Sequence, residues 1–114
     1  MDAETVVRGY YRAIDDHDYE AFADLLAPAV VHHRPDRTIE GRETLVTFMR
    51  DERPDAETSH EVDRVFADAT PGDGDATVAV RGRLRDATGE RLFAFVDVFS
   101  VADARIAEIE TFTR

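Results

Sequence analysis

Apolar residues near the start of the chain recur at the spacing of an amphipathic helix, which we predict over residues 3 to 16. Asp18 is a suitable N-cap for a second, short helix that ends before Pro28. A third helix is predicted between Gly41 and Pro54, because a proline disfavours helical geometry in the residue before it. The apolar stripe of the first helix and the positions beside it are Val6, Val7, Tyr10, Tyr11 and Ile14.

The second half of the chain instead alternates apolar and polar residues, which is the pattern of strands with one buried face. Three turn signals, PGDGD at 71–75, DATG at 86–89 and VADA at 101–104, divide it into four strands joined as an antiparallel meander. A further short strand, residues 29–34, lies between the second and third helices. The four strands of the meander are predicted at residues 58–68, 76–85, 90–101 and 105–113.

Helices first and strands afterwards are typical of an α+β domain. We therefore predict a curved antiparallel sheet wrapped by three N-terminal helices, a cone-like α+β barrel with an internal pocket. A chain of 114 residues is large enough for one hydrophobic core, so a single domain is expected over residues 1–114.

The charge balance is strongly acidic, with 25 aspartate and glutamate residues against 14 arginines, no lysine and a net charge of -11. Such a surface repels phosphates, which disfavours nucleic acid and anionic membranes as partners. It also keeps a protein soluble at high salt, so we predict a salt-adapted organism; an ordinary acidic protein from an arginine-preferring genome is the alternative.

With no long apolar run, no secretory signal and no cysteine, a cytoplasmic location without disulfides or thiolate sites is expected.

One predicted strand carries a carboxylate within an aromatic row. In the stretch FAFVDVFSV, alternation places Asp97 on the same face as Phe93, Phe95 and Phe99. An unpaired charge in such surroundings is costly unless the group raises its pKa and takes up a proton. The strand therefore predicts either a carboxyl group with altered acidity beside a pocket, or a buried ion pair with an arginine such as Arg34.

The order of elements, together with DHDYEAFADLLAPAVVHHRP, IEGRETLVTFM and FVDVFSV, resembles the SnoaL-like and ketosteroid isomerase-like branch of the nuclear transport factor 2-like superfamily. The resemblance covers nearly the whole chain. Its local signatures are an aspartate that opens the second helix (Asp18), a strand that ends in proline (Pro35), a Gly-Arg-Glu start to the third helix (Gly41) and Asp97 on the penultimate strand. Such a fold hosts many activities, so function depends on the site itself.

The resemblance implies two hydrogen-bond donors to a developing enolate, a helix-one tyrosine at Tyr10 and the strand aspartate at Asp97. A tyrosine that simply packs in the core is the alternative for Tyr10. The family's general base, an aspartate just before the proline, is replaced by Arg34, which stays protonated and cannot abstract a proton. His32 shares a strand face with Arg34 and is the candidate for proton transfer, with a surface or interface histidine as the alternative, whereas His33 faces the other way.

We predict a small cofactor-independent enzyme of the isomerase, cyclase or lyase type that moves a proton on a hydrophobic carbonyl compound. The alternatives are a small-molecule-binding module and an association domain of the same fold. No metal site is expected, because adjacent strand histidines cannot chelate one ion together. The resemblance implies a homodimer that pairs through the outer face of the sheet. The predicted catalytic residues are Asp97, Tyr10 and His32, and the predicted substrate-binding residues are Arg34, Phe93, Phe95, Phe99 and Ile109.

Overall fold

The computed structural model describes residues 2–69 and 75–114 of the chain. Within these two ranges there are three helices: α1 (Ala3–Asp15), α2 (Tyr19–Asp24) and α3 (Arg42–Thr47), which continues into one π-helical turn, Phe48–Glu52. Residues 71–74 of the predicted PGDGD turn lie outside the described part of the chain. The strands are β1 (Leu26–His33), β2 (Thr38–Glu40), β3 (Ser59–Ala69), β4 (Ala76–Arg85), β5 (Arg91–Ala102) and β6 (Arg105–Thr113).

Side-chain caps fix where the first two helices begin. Asp2 accepts a hydrogen bond from the backbone N–H of Thr5 at 2.8 Å. Asp18 accepts one from the N–H of Ala21 at 3.1 Å, which confirms its predicted role as N-cap. β1 follows α2 directly, and Pro28 lies in the part of that strand where the pairing register shifts. α1 and α2 form a helical hairpin in which α1 packs against β3, β4 and β6.

All six strands form one sheet in the order β2-β1-β6-β5-β4-β3. Neighbouring strands are antiparallel except β1 and β6, which run parallel. The predicted α+β class, the three N-terminal helices and the curved sheet are confirmed. The sheet is nevertheless mixed and open, because β1 enters beside β6 in the same direction and because β2 and β3 remain at its two edges. β2 has three residues, too few for the sequence pattern to predict it.

Strand β5 alternates between its two faces as the sequence predicted. Phe95, Asp97 and Phe99 are buried on the inner face, whereas Val96 is exposed on the outer face. Tyr10 of α1 packs against Phe99 with the ring centroids 5.1 Å apart. The helix therefore covers the inner face of β5 immediately beside Asp97.

Gly82 of β4 makes room for one aromatic side chain on that inner face. Gly82 pairs with Phe95 across the β4–β5 ladder. A Cβ atom at this position would lie 2.8 Å from Cζ of Phe95 and 2.5 Å from the carbonyl oxygen of Glu61. Both distances are too short for a real side chain, so glycine is needed for the phenylalanine ring to lie where it does.

Candidate active site

A cavity of about 240 Å³ opens between the inner face of the sheet, α1 and the segment that follows the π-helical turn. Its volume is below the roughly 300–1,000 Å³ of typical ligand pockets, so it suits a small molecule. The wall is mainly apolar but includes several polar and titratable side chains. These include His32, Arg34, Arg53, His60, Asp97 and Thr111.

Asp97 is 7% exposed and lies in the wall of this cavity. The Tyr11 hydroxyl donates a hydrogen bond to Oδ2 of Asp97 at 2.7 Å, and the Thr111 hydroxyl donates one to Oδ1 at 2.6 Å. Asp97 and Thr111 are direct cross-strand partners. Each carboxylate oxygen has a second lone pair. The two bonds therefore hold the carboxyl group in place while leaving it able to accept a proton.

The acidity of these groups is set by burial. Burial raises the pKa of Asp97 above its usual value, and the hydrogen bonds from Thr111 and Tyr11 oppose that increase. Burial, followed by the negative charge of Asp97, raises the pKa of both Tyr10 and Tyr11. Both phenols are therefore neutral hydrogen-bond donors throughout the physiological pH range. The site combines a carboxyl group whose pKa is raised with two phenols that keep their protons.

His32 extends the hydrogen-bond chain that ends at Asp97. It is buried, and its Nε2 lies 2.7 Å from Oγ1 of Thr111. Because Thr111 donates its one hydroxyl hydrogen to Asp97, Nε2 of His32 must carry the hydrogen that it shares with Thr111. Nδ1 is then an unprotonated nitrogen, and it has no hydrogen-bond partner among the described residues. Burial, followed by the charges of Arg34 and His33, lowers the pKa of His32 to about 3, so the imidazole is neutral near pH 7.

Tyr11 donates the hydrogen bond to Asp97, whereas the tyrosine predicted as a donor to the ligand is Tyr10. Successive helical residues point about 100° apart, but both tyrosines are buried, so only the packing of α1 against the sheet decides which of them reaches Asp97. Tyr10 does line the cavity. Its hydroxyl makes no hydrogen bond within the described residues, so it is available to a ligand.

Arg34 lines the cavity without the ion pair to Asp97 that was one alternative. Its guanidinium lies over the ring of Phe48, 4.9 Å from the centroid. Oδ1 of Asp36 is 3.9 Å from its Nε, which is too far for a hydrogen bond. Within residues 2–69 and 75–114 no ion pair joins Arg34 to Asp97, so the effect of burial on the aspartate pKa prevails.

Two of the predicted substrate-binding aromatic residues lie where they were expected. Phe93 and Phe95 line the cavity. Phe99 and Ile109 do not, and this part of the prediction is corrected: both are fully buried in the core. They are cross-strand partners beneath α1, where Tyr10 packs on Phe99. Their side chains support the cavity wall from behind rather than contact a ligand.

The sequence pattern did not predict a histidine–carboxylate pair at the cavity. Oδ1 of Asp15 lies 2.7 Å from Nδ1 of His60, and Oδ2 of Asp15 accepts the backbone N–H of His60 at 3.0 Å. Asp15 thereby engages Nδ1 and leaves Nε2 of His60 for a cavity ligand. The pair joins the end of α1 to the start of β3, so no local pattern marks it. Arg53 and Thr111 were also missed.

Within residues 2–69 and 75–114, no group of three or more histidine, aspartate or glutamate side chains is arranged to hold a metal ion. The expectation that the protein uses neither metal nor cofactor stays a prediction. None of the helices in the same part of the chain combines the length and the apolar character needed to cross a membrane.

A family model described as a SnoaL-like domain matches residues 7–109. The matched range includes most of α1, the strand that carries Asp97 and much of β6. The chain therefore belongs to the SnoaL-like family, as its motifs suggested. No curated protein matches the chain.

Solved structures share the fold over nearly the whole chain. A Kribbella flavida protein named "putative ketosteroid isomerase" is 26% identical, with a TM-score of 0.77 over 96% of this chain and 76% of that chain. A "putative polyketide cyclase" from Sinorhizobium meliloti is 18% identical, with a TM-score of 0.76 over 95% of this chain and 94% of that chain. The orange carotenoid protein of Anabaena (Nostoc) sp. PCC 7120, solved with canthaxanthin, is 17% identical, with a TM-score of 0.80 over 97% of this chain and 36% of that chain. The last two likenesses show the fold alone.

Proposed function

We propose that this chain is a cofactor-independent enzyme of the isomerase, cyclase or lyase type, which transfers a proton on a small hydrophobic molecule with a carbonyl group. The observation that carries the proposal is Asp97, a carboxyl group in a cavity wall that is held by Tyr11 and Thr111 and has a pKa raised by burial. A general acid or base works best when its pKa lies near the working pH. Similar structures named as an isomerase and a cyclase support the proposal.

In the proposed reaction, Asp97 accepts a proton from the carbon next to the carbonyl group and returns it to another carbon. As the carbon–hydrogen bond breaks, its electron pair forms the enolate, and the negative charge passes from the aspartate to the ligand oxygen. Tyr10 lines the cavity, and its neutral hydroxyl has no hydrogen-bond partner among the described residues. In this scheme it donates a hydrogen bond to the ligand oxygen. Tyr11 and Thr111 keep the carboxyl group oriented throughout.

The two cavity histidines have different parts in this scheme. His32, whose pKa is lowered to about 3, is too weak a base to hold a proton near neutrality. Its part is to orient the hydroxyl of Thr111 by donating from Nε2. His60 is oriented by Asp15 and is a second candidate to return the proton.

The isomerisation of 3-cyclohexen-1-one to 2-cyclohexen-1-one tests this proposal, because the reaction needs a proton shift and no cofactor. The product is conjugated, so its ultraviolet absorbance reports the rate. A parallel NMR experiment in D₂O follows exchange of the hydrogens next to the carbonyl group of cyclohexanone. We expect the protein to accelerate at least one reaction above the rate in buffer. If neither is accelerated across pH 5 to 9, the proposal fails for ketones of this size.

A second candidate function is binding without turnover. Both oxygens of Asp97 already accept a hydrogen bond from the protein, which favours a satisfied polar wall over a reactive group. The Anabaena protein of the same fold is described as binding canthaxanthin. The fate of the ligand separates the two functions: a binding module would bind cyclohexanone but leave its hydrogens unexchanged.

We also propose that two copies of the chain pair through the outer face of the sheet. Val96 and Phe112 are cross-strand partners on that face, and Phe112 is 52% exposed. Phe66 on β3 is 55% exposed and pairs with Ala79. Contact with a second copy would remove this row of apolar side chains from water.

Sedimentation tests this dimer. The wild type is expected to sediment as a dimer, and Phe112→Asp as a monomer, because the substitution places a charge in the apolar row. Ala87→Asp is the matched control, since it adds the same charge in the exposed β4–β5 turn, and it should remain dimeric. A wild type that stays monomeric in both low and high salt would contradict the proposal.

A further inference from the structure

Three buried side-chain nitrogen atoms have no hydrogen-bond partner among the described residues: Nδ1 of His32, Nε of Arg34 and Nε of Arg53. All three side chains line the same cavity. Buried polar atoms are normally paired, so each unpaired atom calls for an explanation, such as a ligand. Two of the three are donors on permanently charged guanidinium groups. The two arginine donors in one cavity indicate a ligand that has hydrogen-bond acceptors and negative charge.

The two arginines lie at opposite ends of the π-helical turn, Phe48–Glu52. Arg34 stacks on Phe48, the first residue of the turn, and Arg53 directly follows the last. Turns of this kind are frequently found at functional sites. Both side chains line the same cavity of about 240 Å³, so one small ligand can contact both of them.

Neither guanidinium is neutralised by a hydrogen-bonded carboxylate within the described residues. Nη2 of Arg53 donates to the hydroxyl of Tyr19 at 2.9 Å and to the carbonyl oxygen of Ala56 at 3.4 Å, both neutral acceptors. Arg34 has an oxygen of Asp36 at 3.9 Å, beyond hydrogen-bond distance. Among the described residues, Arg53 has no ion pair and Arg34 has only this long one to the exposed Asp36, in a chain whose net charge is -11. They mark one positive region in the cavity of an acidic protein.

The positive region adjoins Tyr10. The charges of Arg34 and Arg53 both act to lower the pKa of Tyr10, against the larger effects of burial and of Asp97. Both positive charges therefore act electrostatically on the Tyr10 hydroxyl. Asp97 and Asp55 in the same wall would repel an anion, and Asp55 lies only two residues from Arg53, so the two guanidinium groups together are the part of the wall that attracts a negative group.

We propose that the cavity binds a small carboxylate, whose anionic group is held by Arg34 and Arg53 beside Tyr10. The planar guanidinium matches the two oxygens of a carboxylate. The apolar body of the ligand lies toward Phe93 and Phe95, which line the cavity. The assignment rests on the proposed function, because it makes the substrate a carbonyl compound that also carries a carboxylate.

Titration with benzoate and with benzamide, followed by ¹H–¹⁵N NMR at constant ionic strength, tests the proposal. The two probes have nearly the same shape and differ in charge. We expect benzoate to bind at least about tenfold more tightly than benzamide, as one charged hydrogen bond would produce. Arg34→Gln and Arg53→Gln should each lower the benzoate-to-benzamide affinity ratio about tenfold. If Arg34→Gln does not fold, Arg34→Lys replaces it and should lower the ratio less.

Arg37→Gln is the matched control. Arg37 lies over the same Phe48 ring, at 5.2 Å, but it is exposed, it pairs with Asp36 at 3.1 Å and it does not line the cavity. This variant should change the ratio less than about twofold, because only long-range attraction is lost. Equal affinity for the two probes, absence of binding by both, or an equal effect of Arg37→Gln and Arg34→Gln would overturn the carboxylate site. Selective benzoate binding without ketone turnover would instead reject the enzyme and keep the site.

Discussion

Replacement of Asp97 by asparagine is expected to lower the rate of ketone isomerisation by about 10²–10⁴-fold, the usual contribution of a general acid or base. Asparagine keeps the shape of the side chain. Its carbonyl oxygen can accept one of the two hydrogen bonds from Tyr11 and Thr111, and its NH2 group can donate to the other hydroxyl, but the amide cannot take up the proton. Since the asparagine is neutral, no charge has to be buried, and the variant should remain folded. Steady-state absorbance assays give the rate, and circular dichroism during heating checks the fold.

Asp103→Asn provides the control for this substitution. Asp103 is exposed in the β5–β6 turn at a φ of 53°, a conformation that asparagine adopts readily. The control removes one carboxylate at the end of the same strand and should keep the wild-type rate. An Asp97→Asn variant as active as the wild type would show that the proton is transferred by another group, and His60 would be the next to test.

Replacement of His32 by glutamine is expected to protect the protein against acid. Burial lowers the pKa of His32 to about 3, from about 6.5 in the unfolded chain. Between about pH 6.5 and pH 3 the unfolded chain therefore carries one more proton at position 32 than the folded protein does, and this contribution lowers the free energy of unfolding as pH falls. The expected slope is about 1.4 kcal/mol per pH unit in this window. Urea denaturation of wild type and variant from pH 7 to pH 4 should show the difference between their unfolding free energies changing with this slope.

Comparison with the wild type is essential, because Asp97 acts in the opposite direction. Its folded pKa is raised above its unfolded value, so between those two values the folded protein binds more protons and gains stability as pH falls. Both proteins contain Asp97, so its contribution largely cancels in the difference. His33→Gln is the control for loss of an imidazole from an exposed position, since the His33 side chain is 41% exposed. Equal slopes for the two variants would contradict the burial of a neutral imidazole at position 32.

The sequence was sufficient to place Asp97, because alternation along a strand follows directly from backbone geometry. Asp97 is the middle one of five successive positions on one face of the strand, and the other four are aromatic or β-branched. A face of this composition is expected to be buried. The same geometry separates His32, which is buried, from His33 on the opposite face. The face on which a strand residue lies depends only on its neighbours in the chain, so it can be predicted without knowledge of the tertiary structure.

Thr111 could not be placed opposite Asp97 in the same way. Ala102 and Arg105 close the β5–β6 hairpin, and uninterrupted pairing from that turn would set Glu110 opposite Asp97. The register instead shifts near Ser100 and brings Thr111 there. Because of this one-residue bulge, the residue opposite Asp97 is Thr111, whose hydroxyl donates a hydrogen bond to Asp97, and not a second carboxylate, Glu110. Nothing in the local sequence fixes where such a bulge occurs.

Other parts of the site depend on contacts between distant segments. Asp15 and His60 are joined across α1 and β3, and Arg53 reaches the cavity because a π-helical turn precedes it. The choice between Tyr10 and Tyr11 depends on how α1 rotates against the sheet. The salt-adapted origin and the cytoplasmic location rest on composition and stay predictions.

The pKa of Asp97 is the most direct test of the central claim, which is that a buried, cavity-facing carboxyl group carries out proton transfer. It can be measured by following the ¹³Cγ resonances of labelled aspartate with pH, with Asp97→Asn used to assign the signal. We predict a pKa clearly above the ordinary value of about 3.9, and a still higher value in Tyr11→Phe, which loses one hydrogen bond to the carboxylate. A pKa at or below about 3.9 in the wild type would contradict the claim, because the carboxylate would then be too weak a base for the reaction.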